Sequence, residues 1–331
     1  MQVLVTGATG FIGRHLIERL MASRENVRAL VSPAADAGWL DTLGVEIVRG
    51  DVGHASVVKQ AAAKCEIIFH LASKTGITGL LSRTDVQSAH IQGAENLTRA
   101  ALESGVKRLV FCSSVAVYGC TGKNRRIDEN TKTDPDSPYG EAKMLGEQVV
   151  LSARQREGLP VVVARISNVL GPGTTSWLGL FRSIASGQFR LIGKGINHHH
   201  LVDVSEVVEG LLLCGATKGI EGRTYILAGS QSVQLRRLVE MISEEVGVTS
   251  LPRSVSAIPL HVYRAINNFA VSLIGRQLPR ADRIALFLGD RTFDIARARE
   301  ELGYVPRIPT KNSIHDMAEW FRAEGHLSRL G

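Results

Sequence analysis

Along the first half of the chain two apolar rhythms alternate. Short runs rich in β-branched residues stand at Val3–Thr6, Val27–Val31, Val45–Val48, Ile67–Leu71, Leu109–Cys112 and Val161–Ile166. Successive positions within them are apolar, so both faces of each strand must be covered. Between most of them apolar residues recur at helical spacing, as in Phe11, Ile12, Leu16, Ile17 and Leu20, or Ile91, Ala94, Leu97, Ala101 and Leu102. Doubly covered strands alternating with amphipathic helices predict an α/β protein with a parallel sheet between two helical layers. Right-handed crossovers give that sheet a Rossmann-type, doubly wound order.

After Val169 the rhythm loosens. Gly171-Pro172-Gly173 breaks the chain, and helices are predicted at Leu178–Ser186 and Val204–Cys214, the second after a segment ending in Asp203. Tyr225–Ala228 reads as a returning strand. Residues 230–331 read as mostly helical, punctuated by Pro252, Pro259, Pro279, Pro306 and Pro309. No linker composition intervenes. Residues 1–169 are therefore expected to form the sheet domain, with 200–228 returning to it, while 170–199 and 229–331 form a smaller, mostly helical substrate lobe.

The stretch TGATGFIG follows the first strand and opens the first helix. Gly7 permits the turn, Gly10 lets backbone approach a pyrophosphate, and Gly13 lets helix and strand pack closely. Phosphates would sit at the positive end of the helix dipole. In this strand–helix context the spacing predicts dinucleotide binding. An acid at the end of the second strand would select NAD, but here Val31 is followed by Ser32-Pro33. NAD and NADP both stay open, the missing acid leaning toward NADP, with Ser32 and Arg14 nearby. Asp51, in RGDV, is placed either to meet adenine or simply to turn the chain.

Composition narrows the setting. Hydrophobic residues make up 44% of the 331, as in a globular protein. No window of 18 uninterrupted apolar residues predicts an integral membrane helix. Met1-Gln2-Val3-Leu4-Val5 enters a strand at once, without the features of a signal peptide. Cys65, Cys112, Cys120 and Cys214 are widely spaced and lack a C-x-x-C pair, so they read as reduced thiols of a cytoplasmic protein. The net charge is +7, but basic residues are dispersed and only 5% of residues are aromatic. That argues against a nucleic-acid partner and for attraction of an anionic cofactor or substrate.

Two further segments end strands: FHLAS at 69–73 and CSSVAVYG at 112–119, ahead of YGEAK at 139–143. In this order, with ISNVLGPG (166–173), HLVDV (200–204), YILAG (225–229) and ELGYVPR (301–307), the chain resembles the extended short-chain dehydrogenase/reductase family, NAD-dependent epimerase/dehydratase type. The resemblance implies a catalytic Ser114, with Ser113 beside it, and a Tyr139/Lys143 pair. One helical turn separates that pair. A free tyrosine titrates near ~10, and a neighbouring ammonium and a positive nicotinamide favour its phenolate. Ser114 would hold the substrate oxygen, Tyr139 would move its proton, and Lys143 would position the nicotinamide ribose. The resemblance also assigns cofactor contacts to Gly7, Thr9, Gly10, Phe11, Ile12, Gly13, Ser32, Asp51, Val52, Leu71, Ala72, Ser73, Tyr139, Lys143, Ile166, Asn168 and Val169. It assigns substrate contacts to Ser113, Asn168 and His200, and a homodimer through helices spanning 88–104 and 139–154. Arg291, just before TFDIARAREELGY, is placed either to bind an acidic substrate group or to pair on the surface.

His90 stands where many relatives carry Asn, which puts their water-linked proton path in doubt here and favours a packing role for the ring. Three adjacent histidines, His198–His200, alternate sides along an extended segment and do not converge on a metal. Val115-Ala116 follow Ser114 where sugar dehydratases of this pattern carry Asp-Glu, which argues against water elimination. The apolar, arginine-bearing segment 255–289 reads as a packed helical pair, a cap over an apolar substrate or a face touching a membrane surface, and resembles the hydroxysteroid dehydrogenase/dihydroflavonol reductase branch. Alcohol/ketone oxidoreduction leads these expectations, followed by nucleotide-sugar epimerisation and then a non-catalytic cofactor sensor.

Overall fold

The computed structural model describes residues 1–73, 83–119, 126–249, 253–256, 258, 262, 266 and 289–328, and within 83–89 the backbone only. Cys120 and most of 255–289 lie outside the described residues. The first half runs β1 (Gln2–Thr6), α1 (Phe11–Ala22), β2 (Asn26–Val31), α2 (Gly38–Thr42), β3 (Glu46–Arg49), α3 (Ala55–Ala62), β4 (Ile67–His70), α4 (Arg83–Ser104), β5 (Arg108–Ser114), a short 3-10 turn (Val115–Tyr118), β6 (Arg126–Ile127), α5 (Pro138–Glu157) and β7 (Val161–Ile166). The second half adds β8 (Asn168–Leu170), α6 (Leu178–Ala185), β9 (Leu191–Ile192), β10 (His198–Asp203), α7 (Val204–Ala216), β11 (Thr224–Leu227), β12 (Ser232–Gln234), α8 (Leu235–Glu245), β13 (Ser254–Val255), β14 (Thr292–Phe293), α9 (Ala296–Leu302) and α10 (Thr310–Ala323).

Seven parallel strands form the main sheet in the order β11-β7-β5-β4-β1-β2-β3, the doubly wound arrangement that the alternating rhythm predicts. Side chains alternate across it. Val3, Val5, Phe69, Val110 and Val162 join one buried cluster with Leu16 and Ile17 of α1 and Val207 and Leu211 of α7. Leu4, Ile68, Leu109, Phe111 and Val163 join another with Leu97 of α4 and Val150 of α5. Each fully buried aliphatic residue contributes about 1.5–3 kcal/mol, so the two faces hold the sheet between its helices. Glycines set how closely those helices lie. A Cβ on Gly146 would meet the Phe111 ring at 2.7 Å, and one on Gly215 would meet Phe69 at 2.9 Å.

A third apolar cluster gathers Phe181 and Ile184 of α6, Leu238 and Ile242 of α8 and Ile314, Met317 and Phe321 of α10. Around it run short strands that the sequence pattern does not show, apart from β10, which falls on the extended segment ending in Asp203. β10 runs parallel to β8 and antiparallel to β12, while β9 pairs with β13 and β6 with β14. Strands of two or three residues carry too few positions for an alternation to register.

Candidate active site

The crevice lies where β1, β4, β5 and β7 end. Chain order reverses beside β1, with β2 and β3 on one side and β4 and β5 on the other, and open α/β sheets bind ligands at such a switch point. Gly7 leaves β1 at φ +72°, and a Cβ there would meet the Ala72 nitrogen at 2.6 Å. One on Gly13 would meet the Gly7 carbonyl oxygen at 2.1 Å. Gly10 is the N-cap of α1 with no side-chain cap, so the first amides of the helix are not answered from that position. A Cβ on Gly10 would meet only the Gly7 oxygen, at 3.1 Å. The loop is thus closed toward the protein and open toward the crevice, which fits a pyrophosphate.

One end of the crevice has a volume of about 320 Å³ and is lined by Thr9, Ser32, Asp51, Val52, Leu71, Ala72 and Ser73. Asp51 serves the turn as well, its Oδ1 accepting from Gly53 N at 2.8 Å. Arg14 does not line this cavity. Its guanidinium stacks on Trp39 at 5.0 Å and pairs with Glu18 at 3.1 Å. Two histidines line it that no cofactor assignment included. His90 Nε2 lies 3.5 Å from Ser73 Oγ. His70 Nδ1 lies 2.8 Å from Thr6 Oγ1, which accepts from Ala72 N at 3.2 Å, tying the ends of β1 and β4 together. Burial, with lesser contributions from Lys143 and His90, pushes the His70 imidazole down to about 3, so it is neutral at ordinary pH.

The other end, of about 230 Å³, shares Gly7, Gly10, Leu71 and Ser73 with the first, so the two adjoin at the glycine loop. It is lined by Phe11, Ile12, Gly13, Ser113, Ser114, Tyr139, Lys143, Ile166, Ser167 and Val169. Ser114 N-caps the 3-10 turn, its Oγ accepting from Ala116 N at 3.2 Å, which leaves its proton to donate. Ser113 Oγ is buried without a hydrogen-bond partner among the described residues. Ser137 caps α5 by accepting from Gly140 N at 3.1 Å, and Pro138 starts the helix, which puts Tyr139 in its first turn. A Cβ on Gly140 would meet the Ala116 oxygen at 2.4 Å, so the glycine after Tyr139 allows α5 to abut the turn after Ser114. Lys143 Nζ lies 5.9 Å from the centroid of the Tyr139 ring and donates to the Cys112 carbonyl at 2.8 Å. Ring and amine share one side of α5, and the ammonium keeps two N–H groups beyond its carbonyl bond.

Three expected contacts lie elsewhere. Asn168 pairs with Leu201 in the small sheet and lines neither cavity; its neighbour Ser167 does. His200 corrects a substrate assignment: it is buried, Nε2 binds the Gly229 oxygen at 2.7 Å and Nδ1 accepts from Phe293 N at 3.1 Å. Both ring nitrogens are spent on backbone, so the ring splices β10 to β14 and lines neither cavity. Arg291 also lies outside both cavities; its amide donates to the His198 oxygen at 2.9 Å. Among the described residues no three His, Cys, Asp or Glu side chains cluster as metal ligands, and no helix is long and apolar enough to cross a membrane. His70, Gly140 and Ser167 are contributions that the sequence does not signal, although His70 and Gly140 sit inside the FHLAS and YGEAK segments.

Residues 3–228 match the model of the NAD dependent epimerase/dehydratase family, and the chain belongs to it. The chain is 30% identical over 323 residues to a 4-hydroxy-2-methyl-3-oxo-4-farnesyl-3,4-dihydroquinoline-1-oxide ketoreductase of Stigmatella aurantiaca, covering 95% of each. It superposes on the crystal structure of gox2253 with a TM-score of 0.85 at 29% identity, covering 98% of this chain and 99% of that one. It superposes on MoeE5 in complex with UDP-glucose and NAD with a TM-score of 0.76 at 25% identity and the same coverage. The chain is accordingly an enzyme of a family of NAD-dependent oxidoreductases and epimerases.

Proposed function

We propose that this enzyme is an NAD(P)-dependent reductase that interconverts a secondary alcohol and a ketone on an apolar substrate through Ser114, Tyr139 and Lys143. One observation carries the reading: the three side chains line a single cavity continuous with the glycine cradle. The dinucleotide, when bound, supplies or accepts the hydride. Ser114 donates its hydroxyl proton to the substrate oxygen. Tyr139 gives that oxygen a proton in reduction and takes it back in oxidation. Lys143, fixed by the Cys112 carbonyl, holds positive charge beside the phenol and has N–H groups left that would hold the nicotinamide ribose of a bound dinucleotide.

An apolar substrate is favoured by the likeness to a ketoreductase whose named substrate carries a farnesyl chain. Ile258, Val262 and Ile266 support it. They stand four residues apart in helical conformation, all exposed, and give the substrate half of the chain an apolar face. Epimerisation of a nucleotide sugar is the second reading, favoured by the likeness to a protein that binds UDP-glucose and NAD. Ser32 at the end of β2, with no acid there, favours NADP. The outer faces of α4 and α5 carry half-buried Ile91, Leu102, Leu145 and Val149 along one groove, which suits a second copy of the chain.

The test is oxidation of NADPH and NADH over a panel of ethyl acetoacetate, cyclohexanone and farnesyl acetone, with UDP-glucose assayed in parallel for epimerisation. Faster NADPH oxidation with an apolar ketone supports the proposal. Conversion of UDP-glucose with no ketone reduced overturns it in favour of the second reading.

A further inference from the structure

Beneath the crevice lies a charged group that the proposed chemistry does not use. Arg165, in the middle layer of the sheet on β7, is 6% exposed, and Glu147 on α5 is 3% exposed. Their contact is forked: Arg165 Nε to Glu147 Oε1 at 3.0 Å and Nη2 to Oε2 at 2.7 Å. The remaining arm, Nη1, donates to Tyr118 Oη at 2.7 Å, and the guanidinium carbon lies 4.9 Å from the centroid of the Tyr118 ring. Nη1 also points to the Glu129 carbonyl at 3.4 Å. Burial works against the charge on Arg165, but the hydrogen bonds and charge of Glu147 outweigh it and hold the guanidinium protonated. Burial also keeps the Tyr118 phenol neutral, pushing it up to about 12.

A buried ion pair of this kind adds little net stability over apolar residues of similar volume. Its placement says more. Glu147 stands one turn after Lys143 and two after Tyr139, on the same stripe of α5. Tyr118 ends the 3-10 turn that Ser114 begins. Arg165 pairs across the sheet with Ser113, and the next pair is Ile166 with Ser114. One planar guanidinium therefore ties together the helix that carries Tyr139 and Lys143, the turn that carries Ser114, and the strand that ends at the crevice. A fork fixes angles as well as distances, which a lone methyl or ammonium does not.

We propose that Arg165 is a positioning residue. Through its fork to Glu147 and its bond to Tyr118 it sets the separation of Ser114 from Tyr139 and Lys143, without touching substrate or cofactor. The inference rests on the reading of Ser114, Tyr139 and Lys143 as the reacting centre, so Tyr139→Phe is the control. Displacements near 1 Å at a reacting centre cost about 10²-fold in rate.

The experiment compares wild type, the double variant Glu147→Met/Arg165→Met, and Tyr118→Phe, with NADPH and the best ketone of the panel. The double variant removes both charges together and leaves no buried ion alone. It is expected to stay folded by circular dichroism and to bind NADPH within about threefold of wild type. Its kcat is expected to fall about 10²-fold, with KM for the ketone little changed. Tyr118→Phe keeps the ion pair and cuts only the tether to the serine turn; its kcat is expected to fall severalfold, again without a KM change. It decides the question if the double variant fails to fold. Wild-type kcat in a folded double variant, or in Tyr118→Phe, overturns the proposal while Tyr139→Phe is inactive. Full turnover in Tyr139→Phe overturns the underlying reading instead.

Discussion

Gly13→Ala probes the cradle at its tightest point. The new methyl carbon would stand 2.1 Å from the Gly7 carbonyl oxygen, 2.9 Å from its carbon and 3.0 Å from Ala8 Cα. All three are backbone atoms, so no side chain can swing aside. Relief requires α1 to move away from the end of β1 by on the order of 1 Å, and overpacking of that kind costs about 1–3 kcal/mol. For a chain of this length the upper figure corresponds to a fall of about 4 °C in Tm. Gly10→Ala is the contrast. Its methyl would meet only the Gly7 oxygen at 3.1 Å and would otherwise occupy the crevice. Thermal unfolding and titration with NADPH, followed by nicotinamide fluorescence, separate the two effects. Gly13→Ala should lose both stability and dinucleotide affinity. Gly10→Ala should unfold within about 1 °C of wild type yet bind NADPH at least about tenfold more weakly. A Gly13→Ala protein as stable as wild type, or a Gly10→Ala protein with full affinity, would refute this account of the loop.

Gly140→Ala would push the first turn of α5 off the Ala116 carbonyl, which a Cβ approaches to 2.4 Å; kcat on the best ketone should fall at least about tenfold, and an unchanged kcat would contradict the abutment. Lys143→Met should remain folded, since the vacated site is buried against Phe111 at 5.9 Å, but lose at least about 10²-fold in turnover, with wild-type kinetics as the contrary result. Ser32→Asp should weaken NADPH binding at least about tenfold relative to NADH, read by parallel fluorescence titrations; an unaltered ratio would remove Ser32 from the ribose site. His70 makes stability depend on pH: the unfolded ring takes a proton below about 6.5, whereas the folded one refuses it until about 3. Stability should therefore rise with pH across that window by about 1.4 kcal/mol per unit from this group and level off above it. His200, also shifted down by burial, adds in the same direction. Urea unfolding of His70→Asn should show a shallower slope, and an identical slope would contradict a neutral buried ring.

The doubly wound sheet was legible because its strands are long enough to show apolar runs and the long helices α1 and α4 show a stripe of apolar residues, whereas α2, with five residues, does not. The glycine cradle was legible for a related reason, since its requirement is steric and falls on residues close in sequence. Tyr139 and Lys143 share one helical turn, so their adjacency follows from spacing alone. Ser113 and Ser114 fall at the end of a predicted strand, which is where a crevice must open. The failures have a common cause too. The family pattern turns His200 toward substrate, yet Gly229 and Phe293, the partners that occupy its nitrogens, lie 29 and 93 residues away in sequence. Arg165, Glu147 and Tyr118 meet only after β7, α5 and the serine turn have packed. Nothing local in the sequence distinguishes that arginine from a surface one.

The central claim is that Tyr139, beside Lys143, moves the substrate proton while a nicotinamide exchanges hydride at the neighbouring carbon. It is tested most directly with NADPH deuterated at C4 of the nicotinamide ring, given to wild type and Tyr139→Phe with the same ketone, and deuterium counted in the alcohol by mass spectrometry. Wild type should place one deuterium on the carbinol carbon, and Tyr139→Phe should bind NADPH with wild-type affinity yet yield at least about 10³-fold less labelled alcohol. Equal labelling by the two proteins would contradict the claim.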